Sequence, residues 1–280
     1  KKAMTITAKA QTVDYGTAIS KTTSDVTVAT LASGDSLTAI TLTESTTDYT
    51  TNGTITPSAA TIKKSSTDVT SNYIITYTAG TLKINKVAAT LTCSDKTYDG
   101  TEQTACTCSG GTIGGTYKAT NASDTAYTAS CTGDGNHTSP SNETWTMSKK
   151  QIGAINNLAI SNVGVVSWTN SDGANSYQIS IDNTNWTTVP AGTNTTSYNF
   201  LNSIVGGTGT RTVYVKAVNS DTTNYTNSSA VNTSKTVVTV TCNVNNADYG
   251  SVSPSTINVI TGENFLTNDN ILTFDDGRSV

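Results

Sequence analysis

The chain has 280 residues, of which 35% are hydrophobic and only 13% charged, with a formal net charge of −4 and a sequence pI near 4.9. An acidic balance without a basic stripe argues against nucleic acid or an anionic membrane surface as partner. No apolar run reaches the roughly 20 residues of a membrane-spanning helix.

Roughly one residue in five is threonine, a β-branched type that suits a solvated sheet face and disfavours helix. No window carries apolar residues at helical spacing. Such polarity is also a mark of disorder, but twelve Tyr, three Trp and repeated Val/Ile alternation favour small β-sandwiches with thin cores. The expected class is therefore all-β, with small sandwich or β-grasp-like domains in tandem, as beads on a string.

Residues 1–86 open with Met4, Ile6, Ala8 and Ala10 on one strand face and reach a turn at Asp14-Tyr15-Gly16. Further strands are expected at Val26/Val28, from Leu37 to Leu42, at Ile55, and from Tyr73 to Ile84, where Tyr73, Ile75, Tyr77, Leu82 and Ile84 alternate with a two-residue period. The pattern MTITAKAQTVDYG, GDSLTAITL and NYIITYTAGTLKINK resembles the MBG (mostly β-grasp) domain of bacterial surface proteins. The resemblance implies tandem repeats in large secreted or wall-attached proteins, with a spacer or adhesive role.

Residues 87–150 repeat this grammar. Tyr98-Asp99-Gly100 answers Asp14-Tyr15-Gly16, and the ending TWTMSKK answers TLKINK, the pattern of a tandem array. The segment resembles surface-protein Ig-like or MBG repeats more loosely and carries four of the five cysteines. Zinc fits poorly, because Cys106-Thr107-Cys108 lacks the two-residue gap of zinc sites and His137 is the only histidine. Disulfides in a small secreted domain fit better. A two-residue turn at Asp99-Gly100 would place Cys93 opposite Cys106. Cys106 and Cys108 share a strand face, which leaves Cys108 for Cys131. The expected bridges are Cys93–Cys106 and Cys108–Cys131.

Residues 151–236 resemble a fibronectin type III domain through AINNLAISNVGVVSWTN, NSYQISIDNTNW and RTVYVKAVN. The resemblance implies that Val166, Trp168, Tyr177, Ile179, Ile181, Val213, Val215 and Ala217 face inward. Arg211 departs from the family, which has a corner tyrosine there. Trp186, after the Asn183-Thr184-Asn185 turn, is expected to be more exposed than Trp168. Residues 237–280, with YGSVSP and LTFDDG, resemble an incomplete internalin-type repeat. Cys242 in its first strand is either a buried free thiol or the partner of a cysteine outside the sequence. The opening Lys1-Lys2 and the end within a patterned segment suggest a piece of a longer protein.

Catalytic chemistry finds little support. A serine or cysteine nucleophile would depend on His137 as base, and that residue lies in a GDGNHT run read as an exposed loop. Asp275 and Asp276, being adjacent in a strand, point to opposite faces. Residues 170–172, 243–248 and 268–270 offer oxygen ligands but no ordered calcium-loop spacing. Lys–Asn isopeptide pairs cannot be located by sequence. The Asn-x-Thr/Ser sequons at Asn52, Asn121, Asn136, Asn142, Asn185, Asn194, Asn224, Asn227 and Asn232 are read as chance in so Thr- and Asn-rich a chain.

The expectation is a non-enzymatic, extracellular stalk or adhesin segment of a bacterial surface protein, with no cofactor and no metal. Its partners would be a host surface protein or glycan, or like chains, with no nucleic acid and no membrane insertion. The alternatives are glycan-binding modules of a secreted carbohydrate-active enzyme, with Trp186, Tyr198 and Tyr225 as ligand-facing aromatics, or a phage or filament structural protein.

Overall fold

The computed structural model describes residues 1–190, 195–241, 252–253, 256–262 and 273–274. Cys242, the sequon at Asn194, residues 243–248 and 268–270, and the Asp275/Asp276 pair lie outside them. The protein is all-β and built of several small sandwich-like domains, with one α-helical turn, Leu201–Ile204, among the described residues. The chain divides into two compact units. The first holds residues 1–95, 103–119 and 125–146, and the second holds 96–102, 120–124 and 147–280. The cysteine-bearing stretch thus contributes to both.

In the first unit, Lys2–Ala8 lies between Val26–Ala29, antiparallel, and Tyr73–Thr78, parallel. Met4, Ile6 and Ala8 face the core, but Ala10 is exposed, contrary to expectation. The strand ends at Ala8, and after Lys9-Ala10 the chain enters a second sheet as Gln11–Asp14, parallel to Gly80–Asn85. The expected two-residue period breaks at this crossing. Gly80 is required there, because a Cβ at that position would collide with the carbonyl oxygens of Ala8 and Lys9. The second sheet continues through Thr50–Lys64 to Asp35–Glu44. Ile6, Leu42, Ile55, Ile62, Leu82 and Ile84 fill the space between the two sheets.

The same unit contains Thr90–Cys93 antiparallel to Cys106–Ser109, with Cys93 opposite Cys106. It also contains a three-stranded sheet of Gly111–Gly115, Tyr127–Gly133 and Glu143–Trp145. Buried side chains here are mostly small: Ala89, Leu91, Ala105, Cys106, Ala129 and Cys131, around one large residue, Trp145. Trp145 donates its Nε1–H to the Thr116 carbonyl (2.7 Å) and packs on Tyr127 at 4.7 Å between centroids. Such a core buries too little to stabilise a domain well by itself, and cross-links compensate.

In the second unit, a three-stranded sheet of Asn156–Ile160, Val165–Thr169 and Ser197–Asn199 faces a five-stranded one. The latter runs Thr187–Thr188, Ser176–Ser180, Gly209–Val218, Val231–Thr241, Thr256–Ile260. Val166, Trp168, Tyr177, Ile179, Val213, Val215 and Ala217 are buried together. Ile181 is 38% exposed, a correction to the expected inward alternation. The strand stops at Ser180, whose hydroxyl donates to Asp182 (2.8 Å) and opens a turn instead of continuing the pleat. Val231–Thr241 crosses position 236 without a break, and Val237, Val259 and Ile260 lie in or beside this unit's core. Arg211 donates from Nε to the Ile204 carbonyl (3.1 Å) and from Nη2 to that of Ser203 (3.4 Å), so the guanidinium satisfies carbonyls at the end of the Leu201–Ile204 turn.

Candidate functional site

The structure bridges Cys93 to Cys106 and Cys108 to Cys131, with Cα separations of 4.1 and 5.7 Å. The route to the first pairing differs from the sequence argument. Positions 93 and 106 are opposed, but residues around Asp99-Gly100 do not form a two-strand hairpin. Lys96–Thr97 instead runs parallel to Met147–Ser148, and Gln103–Thr104 pairs with Lys118–Ala119. The Glu143 carboxylate accepts the Cys93 N–H (3.0 Å) beside the first bridge. Stable disulfides belong to oxidising compartments, so the protein is non-cytoplasmic.

Tyr198 and Tyr225 lie in different strands, Ser197–Asn199 and Tyr225–Thr226, Trp186 precedes the strand Thr187–Thr188, and no ring contact joins the three among the described residues. Trp186 is half-buried with the Lys216 ammonium 4.0 Å from its ring centroid, a cation–π contact that occupies one face. Tyr198, half-buried against Phe200, lines a depression of about 530 Å³ with Thr187, Asn199, Asn202 and Ser203. Tyr225 packs edge-on against Tyr98.

That last contact belongs to an arrangement that occurs twice, once in each unit. In the first unit, Tyr15 in the Tyr15-Gly16 turn donates its N–H to the Asn85 carbonyl (2.9 Å). Val87–Ala88 then runs parallel to His137–Thr138. The rings of Tyr15 and His137 meet edge-on at 5.3 Å and 76°. Asn136 Oδ1 accepts the Tyr49 N–H (2.7 Å) and Nδ2 donates to Asp48 (3.0 Å). Lys86 reaches the Asp134 carbonyl (3.5 Å) and lies 4.9 Å from the Tyr49 ring centroid.

In the second unit, Tyr98 donates its N–H to the Ser148 carbonyl (2.9 Å), and Lys150–Gln151 runs parallel to Tyr225–Thr226. Tyr98 and Tyr225 meet at 5.4 Å and 78°. Asn224 Oδ1 accepts the Ala122 N–H (2.8 Å), and Nδ2 donates to Asn121 (3.2 Å) and Asp221 (2.9 Å). Lys149 reaches the Thr222 carbonyl (2.9 Å), two residues before Asn224, just as Asp134 lies two before Asn136. Each joint therefore has a tyrosine before a turn glycine, a lysine at the junction and an Asn-aromatic-Thr segment.

His137 is consequently not an exposed loop residue. Its side chain is 18% exposed and Nδ1 lies 2.7 Å from an Asp134 carboxylate oxygen. A Cβ on Gly110 would meet its ring at 2.6 Å. The Asp134 carboxyl is held below its usual range, first by His137 and then by the Asn136 N–H. The tyrosine turns and the junction lysines are legible in the sequence as repeats, whereas the asparagine and ring that NHT and NYT supply to each joint are not. Their recurrence one segment apart was the available signal. Of the oxygen-rich stretches, Asn170 accepts from the Tyr177 hydroxyl (2.6 Å) and Asp172 pairs with Lys150 (3.0 Å). Among the described residues no group of three His, Cys, Asp or Glu side chains is placed to hold a metal. No helix among them is long and apolar enough to cross a membrane.

No known family matches the chain, and no curated protein matches it.

Proposed function

We propose that this chain is a non-enzymatic stalk or adhesin segment exposed outside a bacterial cell, in which successive β domains are joined at fixed angles. The carrying observation is the twofold occurrence of one joint. Each combines a parallel backbone pairing, an edge-on ring contact and an asparagine amide that engages a loop. A flexible string of domains needs none of these. The likeness of the segments to MBG, fibronectin type III and internalin-type repeats, together with the two disulfides, supports a surface or secreted setting. The engagement of His137 in a joint supports a structural reading over a catalytic one.

Two measurements test the proposal. Backbone ¹⁵N relaxation of the whole chain should give residues 1–86 and residues 127–138 one rotational correlation time, and Asn136→Ala should separate them. Independent tumbling in the unaltered chain would overturn the fixed-joint reading. Membrane-impermeant biotinylation of intact source cells should label the protein, whereas labelling only after lysis would overturn the surface location.

A second reading, glycan binding, is favoured only by Tyr198 and its polar neighbours Thr187, Asn199, Asn202 and Ser203. Retention on a polysaccharide column that disappears with Tyr198→Ala would favour it, and passage without delay would dismiss it.

A further inference from the structure

The two joints share a register that occurs a third time. Val87 pairs with His137 and Lys150 with Tyr225, and in the same parallel sense Lys2 pairs with Tyr73. The positions correspond along the chain, because the residue two further on is buried in every case: Ala89, Ile152 and Met4. An asparagine stands just before each aromatic partner: Asn136, Asn224 and Asn72. A lysine precedes each first strand residue: Lys86, Lys149 and Lys1.

At the first two places a tyrosine turn and a side loop cover this end face. At the third, Lys1, Lys2, Ser71 and Asn72 are exposed, and Ile74, in the position of Thr138 and Thr226, is 57% exposed. Ile74 is the most exposed of the large hydrophobic residues among those described. Tyr73 differs from His137 and Tyr225 in turning its hydroxyl onto Asp35 (2.7 Å), with its ring in the core. Apolar contact at this face therefore comes from Ile74 and not from the ring.

We infer that Lys2, Asn72 and Ile74 form a third docking face of the same kind, whose occupant is the tyrosine-turn end of another β domain. The occupant must present a tyrosine before a turn glycine. It must also carry a loop with a free backbone N–H for the Asn72 amide, as Tyr49 and Ala122 do for Asn136 and Asn224. Residues 1–86 carry both features at Tyr15-Gly16 and Asp48-Tyr49, so a copy of this segment is a suitable probe. The inference rests on the fixed-joint reading but concerns a face that neither existing joint uses.

The test is a tandem protein in which residues 1–85 are repeated directly before Lys1 of the full chain, so that Lys1 takes the place of Lys86 at the new junction, with Ile74→Val in the added copy so that its peptides differ in mass. Hydrogen exchange of the amides at 72–75 in the original copy should slow at least ten-fold relative to the single chain. Asn72→Ala in the original copy should restore most of the lost exchange. Unchanged exchange, with the added copy protected at Ile55 and Ile62, would overturn the inference. An added copy left unprotected there would also count against it, since docking stabilises its partner. Neither result touches the relaxation test of the two joints already formed, so failure of this face and failure of the stalk reading remain separable.

Discussion

Mechanical extension reads the two disulfides directly. Pulling the chain from its ends unfolds every domain, yet residues between bridged cysteines stay outside the force path. The bridges span sequence separations of 13 and 23 residues, with Cα atoms 4.1 and 5.7 Å apart. At about 3.5 Å per extended residue, opening the first should add about 40 Å of contour length and the second about 75 Å. Optical-tweezer traces in oxidising buffer should thus fall short of those in reductant by about 115 Å in total. A Cys93→Ser/Cys106→Ser variant should keep only the longer step, and a Cys108→Ser/Cys131→Ser variant only the shorter. Identical contour lengths with and without reductant would refute the pairing, as would steps of the wrong size in either variant. In loop-entropy terms each bridge also stabilises its segment by about 3 kcal/mol. Loss of both should unfold the segment's strands first, because their core is mostly alanine-sized.

Three other changes have worked outcomes. Gly80→Ala places a Cβ against the carbonyls of Ala8 and Lys9; backbone at that crossing cannot yield easily, so thermal melts should show a loss of about 1–3 kcal/mol or more. Arg211→Ala removes two bonds to the Ser203 and Ile204 carbonyls and should cost about 1.5–3 kcal/mol by urea denaturation, with Arg211→Lys recovering little because an ammonium lacks the fork. Acid should weaken the fold through exposed turns. Asp25 is held low first by the Thr22 hydroxyl, Asp68 by Thr70, and Asp182 by the Asn185 amide. With folded values depressed, their contribution is complete above the ordinary carboxylate pKa of about 3.9 and is lost as pH falls through the lower folded values. The melting temperature should therefore stay flat from neutral pH to about 5 and then decline, with a shallower decline in Asp182→Asn.

The joints rest on polar groups whose removal has unequal consequences. Asn224 is 6% exposed, and its amide satisfies the Ala122 N–H. Asn224→Ala would leave a buried donor unpaired, at about 1–3 kcal/mol. Asn136, bonded to the Tyr49 N–H in a more open setting, lets water replace its amide, so Asn136→Ala acts on orientation with less loss of stability. For that reason it is the better probe of joint stiffness.

Local pattern by itself determined that this chain is β throughout. Met4, Ile6 and Ala8, or Val213, Val215 and Ala217, alternate because a half-buried strand has a period of two, and that period is written in neighbouring residues. Cys93 and Cys106 are opposed as the sequence suggests, but not through a two-residue turn at Asp99-Gly100, because the residues between them leave the ladder to pair with other strands. Only the tertiary structure decided where the alternation stops. Ala10 is exposed because the chain changes sheets after Ala8, and Ile181 because Ser180 and Asp182 close a turn. It also decided what the turns and sequons are for. Tyr15 meets His137, and Tyr98 meets Tyr225, across more than a hundred residues of chain. Such pairings depend on which distant strands share a sheet edge, a choice made by burial of the whole core and not by the residues on either side.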